Sequence, residues 1–155
     1  MPKTTVRRDE TKYQILPPLD PETYAALRAN VVLRGITVPV VRDEDGYLLD
    51  GFARSRIAKE LGYECPSVTV KGLSEHEKRS QVRALNLARR QLDQTARRAI
   101  IADELRENSG RSNRWIGKAL GVNHETVAGV RRALESTGGI RQLDRTLNNS
   151  PPRGK

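Results

Sequence analysis

The hydrophobic pattern of this chain changes period at Ser74, and that change limits what it can fold into. Before it lie three short apolar runs, ITVPVVR (36–42), YLLD (47–50) and PSVTV (66–70). They are too brief for helices and rich in β-branched residues, which marks strands. After Ser74 the apolar residues recur at helical spacing, and no further strand-like run appears. The expectation is an α+β chain: a small mixed α/β N-terminal domain followed by an all-helical one.

Punctuation residues place the elements. Asp20 as cap and Pro21 at the first helical position open a helix whose stripe is Tyr24, Leu27, Val31 and Leu33, and Gly35 closes it. DEDG (43–46) is a turn, and Gly51 to Leu61 reads as a helix ended by Gly62. Ser74 and Glu77 form a capping-box pair at the head of a long helix. A further helix is capped at Asp93 or Thr95 and stops near Gly110, and a helix pair follows from Arg111 to Gly139. The expected divisions are a disordered arm over 1–12, the α/β domain over 13–90, the helical domain over 91–137 and a disordered Pro-rich tail over 138–155.

Composition narrows the function class. Among 155 residues, 28 Lys and Arg outnumber 19 Asp and Glu, a net charge of +9. Such a balance points to a polyanionic partner, nucleic acid ahead of membrane. One cysteine excludes an intrachain disulfide, and with two histidines it leaves no zinc cluster. No apolar run approaches the roughly 18 residues of a membrane span, and the start has no secretory apolar core. These features fit a cytoplasmic protein.

The most specific pattern runs from Asn113 to Leu134. Ile116, Leu120, Val122, Val127 and Val130 take apolar positions, Gly117 sits where two helices cross, and Gly121 supplies a positive φ at the turn. A helix-turn-helix for double-stranded DNA needs this arrangement. Asn123 caps the second helix, whose outward face offers Asn123, His124, Thr126, Gly129 and Arg132, with Arg131 beside them. Arg111, Arg114 and Lys118 are placed for phosphates, and Arg89, Arg90, Arg97 and Arg98 would neutralise others nearby. Trp115 is expected in the core. The plainer alternative is an αα-hairpin with a charged outer face.

LLDGFARSRIAKELG (48–62) raises a second possibility. Glycine at a strand-to-helix corner, followed by Arg54 and Arg56, can cradle a phosphate. A solvated turn leading into a basic surface helix is the competing reading.

Together with ALNLARRQLD (84–93) and the helix pair, this segment resembles the ParB family of partition proteins over roughly Tyr13 to Ile140. The resemblance implies a ParB/sulfiredoxin-like domain followed by a DNA-binding helical domain. It also implies CTP with Mg2+ as ligand, a homodimer, a partition ATPase as partner and a nucleoid- or plasmid-associated location. Gly51, Arg54 and Arg56 match the first family signature, with Phe52 and Ala53 replacing its glutamate and first arginine. Asn86 and Arg89 match the second, with Leu85 replacing its glutamate. The implied nucleotide set is therefore Gly51, Arg54, Arg56, Asn86 and Arg89, with Asn86 alone toward the metal, a weak ligand for a hard cation.

Efficient hydrolysis is not expected, since no carboxylate stands at the family position. Sulfiredoxin chemistry is not expected either, because Phe52 and Ala53 occupy its Cys and His positions. Nor is a nuclease, for lack of an acid and histidine cluster. Partition and transcriptional regulation are equal contenders for the cellular role. The alternative is a nucleotide-dependent enzyme of the same superfold, kinase-like or an NTPase, with Asp43, Asp45 and Asp50 as candidate acids.

Overall fold

Three strands form one sheet. β1 (Val40–Asp43) lies between β2 (Leu48–Asp50) and β3 (Ser67–Val70), antiparallel to the first and parallel to the second. The computed structural model describes residues 10–89 and 92–142. β1 begins later than the run ITVPVVR suggests. Pro39 has no N–H to give to a ladder, and the strand starts where Val40 N–H donates to the Pro66 carbonyl at 2.9 Å. The β1–β2 turn is built by Asp43, whose Oδ1 accepts from the N–H groups of Asp45 and Tyr47.

α1 (Pro21–Arg34) and α2 (Phe52–Leu61) pack on each other, and α2 also packs on β1. Asp20 caps α1 by accepting from Thr23 N–H at 2.9 Å, and Val31 is its buried anchor. Leu33 corrects the expected stripe. It is 78% exposed, since it lies two residues from Val31 and so off the line that Tyr24, Leu27 and Val31 share. Leu48 and Leu49 are both buried although consecutive strand side chains point to opposite faces, so the sheet is covered on both sides. Leu49 meets Tyr13 and Val82 in one apolar cluster, with Phe52, Tyr47, Val41 and Val70 around it.

Two helices complete the chain's middle, α3 (Glu75–Leu87) and α4 (Gln94–Glu107). Ser74 and Glu77 form the reciprocal capping box, with bonds of 2.7 and 3.2 Å. Asp93, not Thr95, caps α4 by accepting from Ala96 N–H. α4 ends at Glu107 with Asn108 as its cap, short of Gly110. The chain divides into two compact units between Val82 and Arg83, inside α3, earlier than the expected boundary at residues 90 and 91, which lie outside the described residues. Each half of α3 is tied into its own unit. Lys78 donates to Asp43 at 2.9 Å in the first, and Arg83 bridges Glu104 and Glu107 at 2.7–3.0 Å in the second.

The expected arm and tail lie mostly outside the described residues. Of the arm's residues, Glu10 pairs with Lys59 at 2.7 Å and Lys12 with Glu75 at 3.5 Å. Among the described residues no helix is long and apolar enough to cross a membrane. The architecture is α+β, as the change of period implies.

Candidate nucleic-acid interface

The second unit ends in two short helices, α5 (Asn113–Leu120) and α6 (His124–Ser136), joined through Gly121, Val122 and Asn123. Local chemistry fixes both starts and the bend. Ser112 accepts from Trp115 N–H to cap α5, Asn123 Oδ1 accepts from Glu125 N–H at 2.8 Å to cap α6, and Gly121 turns the chain at φ 69°. Gly117 is required where the chain returns. A Cβ there would stand 2.7 Å from the Val122 carbonyl oxygen and 3.3 Å from the His124 nitrogen. Ile116, Leu120, Val127 and Val130 are buried, as are Ile100, Ile101 and Leu105 of α4.

With the apolar stripe inside, the polar face is outward. His124, Thr126 and Arg132 are exposed on α6, and Arg114 and Lys118 on α5, with Arg111 just before it. Gly129 is half-buried, and a Cβ added to it would meet nothing beyond its own helix within 4 Å. Asn123 is exposed, but its carboxamide oxygen already serves the cap, so adenine reading would draw on that oxygen's second lone pair. The surface can present several cations and hydrogen-bonding groups to one polyanionic partner.

Two residues depart from expectation. Arg131 is 4% exposed, not on the outer face. Its guanidinium donates to Asn113 Oδ1 at 2.7 Å, to the Ser109 carbonyl at 2.9 Å and to the Arg111 carbonyl, so α6 grips the α4–α5 connection. Burial pulls its pKa below the ordinary arginine value, and three internal acceptors satisfy the charge. The signal was present in the spacing: Val127, Val130, Arg131 and Leu134 fall on one helical stripe. Trp115 is the second departure. It is 39% exposed with the Arg111 guanidinium 4.9 Å from its ring centroid, because Ile116, Gly117 and Leu120 define the inward line and Trp115 lies off it.

Of the flanking arginines, Arg98 is exposed, while Arg97 is half-buried and donates to the Leu87 carbonyl at 2.9 Å, closing the end of α3. Arg89 is exposed, and Arg90 lies outside the described residues.

In the first unit, Gly51 starts α2 in the left-handed region, at φ 92°. A Cβ there would stand 2.5 Å from Val40 Cγ1, so packing against β1 alone requires glycine. Arg54 donates to the Val38 carbonyl at 2.7 Å, the Pro39 carbonyl at 3.2 Å and Asp50 at 3.1 Å. Arg56 reaches Glu60 at 3.2 Å and lies over the Tyr24 ring, whose hydroxyl also donates to Glu60. Both guanidiniums thus serve the unit's own packing, and a phosphate would compete with Asp50 and Glu60 for them. Asn86 is buried and Arg89 exposed in the second unit. Asp43, a candidate acid for enzyme chemistry, is buried against Lys78 and the turn N–H groups, and Asp50 is paired with Arg54.

No known family model matches the chain. The uncharacterized protein ORF326b of Acidianus two-tailed virus is 41% identical over 59 residues, which are 37% of this chain and 18% of that protein. The chain therefore matches less than a fifth of that relative's length. Among solved structures, the C-terminally truncated chromosome-partitioning protein ParB of Caulobacter crescentus, complexed to the centromeric parS site, is similar with a TM-score of 0.55 at 16% identity. That likeness covers 81% of this chain and 71% of that one. A Pnob8-like ParB-N domain is similar with a TM-score of 0.53 at 18% identity, covering 83% of this chain and 57% of that one. The chain has a ParB-like fold.

Proposed function

We propose that the chain binds double-stranded DNA, with α5 and α6 acting as a helix-turn-helix and α6 lying in the major groove. The observation that carries this is the sorting of side chains on the pair. Ile116, Leu120, Val127 and Val130 are buried and Leu134 half-buried, while Arg111, Arg114, Lys118 and Arg132 are outside with His124 and Thr126. The cations would hold phosphates, and His124, Thr126 and Arg132 would face base edges. Similarity in fold to a protein solved on its centromere favours a partition role, with transcriptional regulation through the same surface as the other outcome. A homodimer and a partner ATPase belong to the partition reading.

The test is binding of a fluorescein-labelled duplex, followed by anisotropy as salt is raised. If Arg111, Arg114 and Lys118 each neutralise one phosphate, log K falls with log salt at a slope of about −2.7, a loss of roughly fortyfold between about 50 and 200 mM. A slope near zero, or unchanged binding by an Arg114→Glu/Lys118→Glu variant, would overturn the reading. Selection from a random duplex pool then names the site.

CTP with Mg2+ is a second reading for the first unit, supported by the likeness to a ParB-N domain and by the left-handed glycine opening α2 without a side-chain cap. Gly51, Arg54 and Arg56 are its proposed residues in that unit. Isothermal titration with CTP·Mg2+ decides it: saturable heat that Arg54→Ala abolishes supports it, and no heat with cognate DNA present removes it.

A further inference from the structure

We infer that Trp115, with Arg111 laid across it, is a second contact on α5 for the sugar–phosphate strand bordering the groove. This rests on the DNA reading above and adds a residue type to it: an apolar face for deoxyribose among the phosphate-binding cations.

Trp115 is the chain's one tryptophan, and the core of its unit is built without it. Ile100, Ile101, Leu105, Ile116, Leu120, Val127 and Val130 are buried, whereas the indole stands at 39% exposure. Its neighbours on the outer side are cationic. Lys118 follows it by three residues on the same side of α5, Arg114 is adjacent, and Arg111, just before the helix, lies over the ring. An indole ringed by cations suits a polyanion that carries apolar sugar rings between its charges. Tryptophan and arginine also occur at protein interfaces, but Lys118 beside them and the chain's net charge of +9 favour a polyanion.

The pair is also held in place before any partner arrives. The Arg111 guanidinium lies 4.9 Å from the ring centroid, and its backbone carbonyl is fixed from inside by buried Arg131. A contact already ordered loses less freedom on binding. Arg131 thereby acts as a positioning residue for an outer contact it does not itself make.

A single tryptophan makes the test direct. The full chain is titrated with a fluorescein-labelled mixed-sequence duplex, reading anisotropy of the DNA and, with unlabelled duplex, emission and acrylamide quenching of Trp115. The expected result is an indole shielded from acrylamide at saturation. Trp115→Ala should weaken binding about fivefold to tenfold, the scale of burying roughly 40–50 Å2 of ring, with the salt slope unchanged. Trp115→Phe should retain most of the affinity, whereas Arg111→Ala should reduce the salt slope by about one. If anisotropy reports binding while quenching is unaltered and Trp115→Ala binds like the parent, this inference fails and the α6 reading survives. No binding by anisotropy at low salt overturns both. A change in sedimentation mass in Trp115→Ala without a change in DNA affinity assigns the face to a protein contact and overturns the inference.

Discussion

Gly129 sits inside α6, where glycine costs a helix about 0.5–1 kcal/mol relative to alanine. Nothing beyond its own helix lies within 4 Å of an added Cβ, so the fold gives no reason for the glycine. Close approach to a groove floor does. Gly129→Ala should therefore raise the melting temperature while weakening DNA binding, two effects of opposite sign from one methyl group. Equal or tighter binding by the variant would show that this face of α6 does not approach the duplex. Arg131 teaches the converse at the same scale. Charge suggested an outward contact, yet its spacing from Val127 and Val130 turned it inward onto three acceptors. The arginines of the first unit behave similarly: Arg54 and Arg56 answer to neighbouring carbonyls, carboxylates and a ring.

Elements were legible where their determinants are local. Asp20, Ser74 with Glu77, Asp93 and Asn123 cap the helices they precede, because a cap needs only an oxygen two or three residues from an orphan N–H. β1 was shorter than its apolar run because Pro39 cannot donate. The α5–α6 crossing depends on Gly117 in a way the sequence suggested and the structure makes quantitative. A Cβ 2.7 Å from a backbone oxygen cannot be accommodated by turning a side chain. Gly117→Ala should cost about 1–3 kcal/mol and lower DNA affinity beyond what lost stability explains, since the helix pair must splay. Thermal melts and anisotropy on the same samples check this. A variant with parental stability would mean the turn relaxes freely.

At the scale of the molecule, acid should act first on carboxylates that the fold holds ionised. Burial by itself raises the Asp43 pKa, but the Lys78 ammonium and the Tyr47 and Asp45 N–H groups bring it below the ordinary value. Glu75 is also lowered, chiefly by the Tyr13 hydroxyl that donates to it at 2.8 Å. A carboxylate with a lowered folded pKa contributes stability above its unfolded pKa, about 4, and that contribution is lost as pH falls through the folded value. Melting temperature should thus decline as pH drops below about 4. Asp43→Asn should start less stable at neutral pH and show a shallower decline. Parallel curves for parent and variant would mean Asp43 carries none of the acid sensitivity.

The sequence by itself determined the α+β division, the helix starts, the glycine turns and the apolar stripe of the last two helices. Each of these depends on residues within a turn or two of one another, so one stretch of chain contains its own cause. Tertiary structure alone decided which three acceptors Arg131 meets once inside and which two carbonyls Arg54 holds. A guanidinium on a long flexible stem bonds whichever acceptors packing brings within reach, and those acceptors come from segments 15 to 22 residues away in sequence. Local pattern contains no record of them.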